Sequence, residues 1–197
     1  MKQLTYLFIC FGLCILFPQC KKLSWNLAKV SQTTNTSTSS IKIGQHYQGG
    51  VIAYILQKGD AGYNDSTQHG IIAALSDQSL GSQWGCNGTV LGASDSAIGS
   101  GVANTDSILI NCGYGTAAYA CNSYTGGGYT DWYLPSMIEL RILYANRTYI
   151  GGFSLNYYWS STEASDYYAV AFYFSNSGWE ENAVKVNNYN VRAIRTF

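Results

Sequence analysis

The sequence predicts an α+β domain with an antiparallel sheet, and three observations carry that prediction. Residues 131–140 read Asp-Trp-Tyr-Leu-Pro-Ser-Met-Ile-Glu-Leu, an extended approach that turns sharply into a capped helix. Residues 51–56 and 70–75 are short apolar runs of strand length. After Gly151-Gly152 the chain breaks into aromatic and β-branched runs separated by Asn/Ser/Gly turns, the pattern of a meander. Helices grouped in the middle and strands grouped at the end make an α+β rather than an alternating α/β arrangement.

In chain order, the first twenty residues stand apart. Lys2 gives a positive start, and residues 4–17 form an apolar run of 14 residues, short for a bilayer span. This reads as a secretory signal over residues 1–19. The run closes on Pro18-Gln19-Cys20-Lys21-Lys22, and a cysteine just past an apolar run resembles a bacterial lipoprotein signal with Cys20 acylated. The expected location is a bacterial membrane, at the outer membrane or cell surface, with the lipid as membrane partner. Each buried methylene of such a lipid contributes ~0.8 kcal/mol, so two or three chains anchor stably. Residues 20–43 then form a tether, because the Ser/Thr/Asn tract 31–40 has no apolar surface to bury. About twenty residues of such chain reach roughly 25 Å.

Charge divides at the same place. Lys21, Lys22, Lys29 and Lys42 make the tether basic, with no acids. From Gly44 onward six basic residues stand against all eleven acids, a net charge of −5. An acidic head argues against nucleic acid and other polyanions, whose binding rests on Lys and Arg.

The domain is expected over residues 44–197. A turn at 46–50 leads into the strand at 51–56, a polar loop over 58–69 and the strand at 70–75. Residues 76–104 are loop-rich. Asn104-Thr105-Asp106 is a helix start for 104–110, and the small residues of 116–124 suit a closely packed second helix. In the central helix, about 136–146, Pro135 holds the approach extended, Ser136 caps, Glu139 closes a capping box, and Leu140, Leu143 and Tyr144 form an apolar stripe. Strands follow at 157–161, 168–174, 179–186 and 191–197.

Several short blocks occur in an order that matches a known family. They are Gln48-Gly49-Gly50-Val51, His69-Gly70-Ile71-Ile72-Ala73-Ala74, Trp84-Gly85-Cys86, Asn104-Thr105, Ala117-Ala118 to Cys121, Asp131 to Ser136 with Glu139-Leu140, Tyr158 to Glu163, and Val191 to Arg195. Together they closely resemble the Lcl C-terminal domain family of bacterial surface proteins and lipoproteins, over about residues 44–197. The resemblance implies a C-type-lectin-like fold, in which the first and last strands pair, so that 51–56 lies beside 191–197. The Leu-Pro-Ser-x-x-Glu-Leu helix start and the arginine-rich last strand are also similar to the formylglycine-generating enzyme group, which uses cysteines in the C-terminal part of its fold.

Candidate sites follow. Cys86, Cys112 and Cys121 lie in the exported part; Cys86–Cys112 is the expected disulfide, with Cys112–Cys121 the alternative. No cysteine follows residue 121, and His46 and His69 have no metal-ligand spacing. No nucleophile elbow or phosphate loop is present, so no catalysis, metal or cofactor is expected. Loop oxygens of Asp60, Asn64 and Asp65 are a weaker calcium alternative. Arg192 and Arg195, three apart on a strand, should face opposite ways, one inward onto Asp131, Glu139 or Glu163. Trp159, Ser160, Ser161 and Glu163 form an aromatic-plus-polar cluster of the sort that stacks on a sugar, with Trp159 as core and the serines as backbone partners the favoured alternative. The expectation is a non-catalytic surface domain binding an extracellular glycan or protein, with self-association into an adhesive or structural assembly as the alternative.

Overall fold

The computed structural model describes residues 40–197. The expected signal segment, Cys20 and most of the tether lie outside the described residues. The strands form two sheets. The first has the order β1 (His46–Tyr47), β2 (Gly50–Ile55), β3 (Gly70–Ala74), β9 (Ile194–Thr196), all antiparallel. The second has the order β4 (Ser79–Ser82), β8 (Tyr189–Val191), β5 (Tyr157–Glu163), β6 (Tyr168–Tyr173), β7 (Trp179–Val184). Its one parallel pairing is β5 with β8. Between the sheets in sequence come α1 (Gly101–Cys112), α2 (Ala117–Asn122), a 3-10 turn (Gly126–Gly128), α3 (Met137–Ala145) and α4 (Arg147–Ile150). The α+β class stands.

The first sheet is buried on both faces, as its apolar runs predict. Ile52, Ile72 and Ala74 pack into one core cluster with Trp84, Ile108, Trp132 and Trp159. Val51, Ala53, Ile71 and Ala73 point the other way, into a second cluster with Leu140, Leu143, Tyr158, Phe172 and Phe174. Alternating side chains thus feed two cores, which is why neither run shows an apolar–polar alternation. Gly50 is needed for this closeness: a Cβ there would meet the Ala73 carbonyl at 2.2 Å.

The central helix forms as its sequence dictates. Ser136 Oγ accepts from the Glu139 amide at 3.4 Å, and the Ser136 amide donates to Glu139 Oε2 at 2.7 Å, completing the capping box. Ser136 Oγ also donates to the Ala97 carbonyl at 2.7 Å, which ties the long loop to the helix start. Helix α1 begins at Gly101, three residues before the expected cap, so Asn104 and Thr105 are buried inside it. They serve as bridges instead: Thr105 Oγ1 accepts from the Leu134 amide at 3.0 Å, and Asn104 Nδ2 donates to the Asp95 carbonyl at 2.6 Å. Cys86 and Cys112 form the expected disulfide, Cα atoms 5.3 Å apart, joining the loop after β4 to the end of α1. Cys121 is a buried free thiol.

Two expectations are corrected. The first and last long strands share a sheet but do not pair, because β3 lies between β2 and β9. The last run is also two strands. Chain pairing in the second sheet ends at Val191, and Arg192-Ala193 carries the chain across to the first sheet, where Ile194 resumes pairing. Strand alternation is lost over that crossover.

Candidate functional site

The crossover explains the arginines. Both Arg192 and Arg195 are buried, not one, since two-residue alternation does not run through the break. Arg192 Nε donates to Asp77 Oδ1 at 2.7 Å, its Nη1 donates to the Ala74 and Gly151 carbonyls, and its guanidinium lies 4.1 Å over the Phe153 ring. Arg195 grips Asp131 with Nε at 2.7 Å and Nη2 at 2.8 Å, the fork geometry a carboxylate accepts best. Its Nη1 donates to Gln48 Oε1, and its plane lies 3.9 Å over Tyr129. Gln48 sits in the β1–β2 turn at φ 45°, a conformation a glutamine rarely adopts, and Arg195 holds it there. Arg195 keeps the Asp131 carboxyl below its ordinary range.

Of the three expected carboxylate partners, only Asp131 meets an arginine. Glu139, fully buried, accepts from the Ser136 and Gly99 amides and from the Tyr133 hydroxyl at 3.2 Å. Burial pushes its carboxyl up, and those donors pull it part of the way back. Burial beside Glu139 also pushes the Tyr133 hydroxyl well up. Glu163 meets Lys185 instead, at 2.7 Å, with both side chains essentially inaccessible.

The four residues of the aromatic-plus-polar cluster are buried and bonded within the fold. Trp159 is fully buried, with Nε1 donating to the Ser82 carbonyl at 2.8 Å. Ser160 Oγ donates to the Val170 carbonyl at 2.6 Å, and the Ser161 amide donates to the Pro135 carbonyl at 2.7 Å. Glu163 accepts from the Leu91 and Gly92 amides at 2.9 Å as well as from Lys185. The cause is position: β5 is a central strand, paired on both sides and covered on both faces. Asp60 likewise accepts from the Tyr54 hydroxyl and the Gln57 amide, and Asn64 from Ser66. Among the described residues no group of three His, Cys, Asp or Glu side chains is placed to hold a metal.

What remains outward is aromatic. On the face of the second sheet that Trp159 shares, Tyr189, Tyr157, Tyr173 and Trp179 stand side by side on β8, β5, β6 and β7. Tyr157 pairs across strands with Tyr173, and Tyr173 with Trp179. Successive ring centroids are 4.8, 4.7 and 4.5 Å apart, with Tyr157 and Tyr189 stacked at 18°. Trp179 ends the row on the edge strand and is 45% exposed. Glu181, two residues on and so on the same face, lies close enough to the Tyr157 hydroxyl to hold its pKa above the ordinary value. The same face is closed at its other end by Trp84 and Ala93, which pack with Trp159, Ala169 and Ala171.

Cations are scarce around this row. Lys185 and Arg192 are locked in buried pairs, buried Arg195 pairs with the half-exposed Asp131, and Arg141 pairs with Glu180. Arg147 lies 4.1 Å over Tyr144 and donates to its carbonyl. Sequence reasoning missed Asp77 and Lys185. Asp77 carries no signal beyond a turn position. Lys185 does: it is in phase with buried Ala183 on an alternating strand.

These features define a class: an α+β domain whose motif charges join two sheets and a capped helix from within, beside a half-open aromatic row. The chain belongs to the Lcl C-terminal domain family, whose model matches residues 73–195. The match begins within β3, and β1 and β2 pair into the same sheet ahead of it. No curated protein matches the chain.

Proposed function

We propose that this chain is an exported, lipid-anchored lipoprotein whose folded part is a non-catalytic, C-type-lectin-like domain that binds an extracellular ligand at a bacterial cell surface. The observation that carries the binding reading is the outward row Tyr189–Tyr157–Tyr173–Trp179. Tyr and Trp offer large rigid contact area with a polar tip at small entropic cost, which suits recognition. The non-catalytic reading is supported by Asp131, Glu139 and Glu163, each engaged by partners within the fold. The anchor reading rests on the apolar run 4–17 followed by Cys20.

The test of binding is an array of extracellular glycans and proteins probed with the full chain. Ligands are expected, and a Tyr157→Ala/Tyr173→Ala variant that keeps its near-ultraviolet circular dichroism should lose them. Binding that survives in that variant, or an empty array, refutes the reading. Metabolic labelling with a fatty-acid analogue, abolished by Cys20→Ala, tests the anchor.

A second reading, self-association, is favoured by one feature: β7 is an open edge of its sheet. Concentration-dependent mass in sedimentation without ligand would support it.

A further inference from the structure

We propose that the open end of the aromatic row is a subsite for an uncharged pyranose, with the exposed indole of Trp179 as stacking platform and Glu181 and the Tyr157 hydroxyl as the hydrogen-bonding rim. This rests on the binding reading above and names its ligand class.

Three observations converge. First, Tyr173 packs against Trp179 on one side, at 4.5 Å, while 45% of Trp179 stays open. An aromatic face carries the negative end of its quadrupole, and the C–H face of a pyranose presents the complementary positive side. Second, hydroxyl-recognising groups sit beside that surface. Glu181 is half-buried and stands two residues from Trp179 on the same face of β7, beside the row. A carboxylate is an acceptor only and a phenol is both donor and acceptor, which between them serve a vicinal diol. Tyr189, further along the row, has its hydroxyl fixed by Asn187 Nδ2 at 3.0 Å.

Third, charge selects among ligands. The row holds one carboxylate and no cation. The neighbouring Glu180 is neutralised by Arg141 on the other face of β7, so it adds no field for a basic peptide. A sulfated or carboxylated sugar would meet Glu181 without a compensating Lys or Arg. The position on an edge strand leaves room for a chain of sugars to continue past Trp179.

The experiment is titration of the full chain, followed by the indole N–H resonance of Trp179 and by calorimetry. The probes are β-1,4-linked hexasaccharides of glucose, N-acetylglucosamine and mannose, with heparin and deca-lysine as charged probes. At least one neutral hexasaccharide should bind and shift the Trp179 signal. Trp179→Ala should weaken that binding about tenfold or more, the loss of roughly one stacking contact. Glu181→Gln should weaken it less and leave heparin no better bound. Absence of binding by all three neutral hexasaccharides overturns the inference, as does binding that Trp179→Ala leaves unchanged. Binding of heparin or deca-lysine alone, lost with the row variant, overturns the sugar assignment while the binding reading stands. A row variant that keeps every ligand overturns both.

Discussion

The buried pair Lys185–Glu163 decides whether Glu163 serves ligand or fold. Lys185 Nζ lies 2.7 Å from Glu163 Oε1, donates to the Thr89 carbonyl at 2.8 Å, and sits 4.7 Å over the Trp84 ring. Both side chains are essentially inaccessible, at 0% and 2%. Lys185→Met keeps the length of the stem and removes the charge. It leaves Glu163 with only the Leu91 and Gly92 amides, and Thr89 without a donor. Leaving a buried charge uncompensated costs about 3–5 kcal/mol. Glu163→Gln leaves the converse problem, an ammonium facing an amide. The double variant carries no buried charge and still offers an acceptor to the two amides, so it should recover about 1–3 kcal/mol of the summed single costs. Urea unfolding with an unchanged slope reads these values from the midpoints. Ligand binding by folded Glu163→Gln should persist. A cost below about 1 kcal/mol for Lys185→Met, additive single effects, or binding lost in Glu163→Gln at an unchanged midpoint would refute the structural assignment.

Four further outcomes are expected. Cys112→Ala opens the cross-link to Cys86 and should cost about 3 kcal/mol in the chain-entropy picture, measured by urea unfolding; Cys121, its thiol pushed well up by burial, should resist a thiol reagent until the chain unfolds. Ser136→Ala removes the cap of α3 and the donor to the Ala97 carbonyl, and should cost about 1–2 kcal/mol by the same assay. Asp131 is held below its ordinary value by Arg195, so its contribution is present above the unfolded Asp value and is lost as pH falls through the lowered folded value. Asp131→Asn should therefore be less stable at neutral pH and converge on the parent in acid, by a small amount because the side chain is 54% exposed.

Local chemistry made much of the frame legible. Pro135, Ser136 and Glu139 specify a helix start within four residues, and the helix begins there. The two early apolar runs and the Asn176-Ser177-Gly178 hairpin, with Gly178 at φ 54°, are likewise local. The illegible parts are long-range. Whether β2 or β3 neighbours the last strand depends on sheet order, which no local pattern encodes. The break at Arg192-Ala193 has no glycine or proline to mark it, so strand alternation read from the sequence runs through it and predicts only one arginine inside. The burial of the candidate cluster has a related cause. Tyr157 and Trp159 lie on the same face of β5 and are equal as sequence; what separates them is that Trp84 and Ala93 cover one end of that face.

That covering also separates stability from recognition. The residues that make the family recognisable, from the Leu-Pro-Ser helix start to Arg192 and Arg195, are buried and bonded within the domain. Tyr173, Trp179 and Tyr189 lie outside those blocks, on half-open positions of a sheet whose register is set by its buried neighbours Phe172, Ala183 and Asn190. Within the row the positions differ: Tyr157 and Tyr189 pack against the core cluster, with Tyr189 4.7 Å from buried Trp159, while Trp179 is the most open. On the binding reading proposed above, ligand preference would lie with the row, while the charged motif residues hold together the fold that carries it.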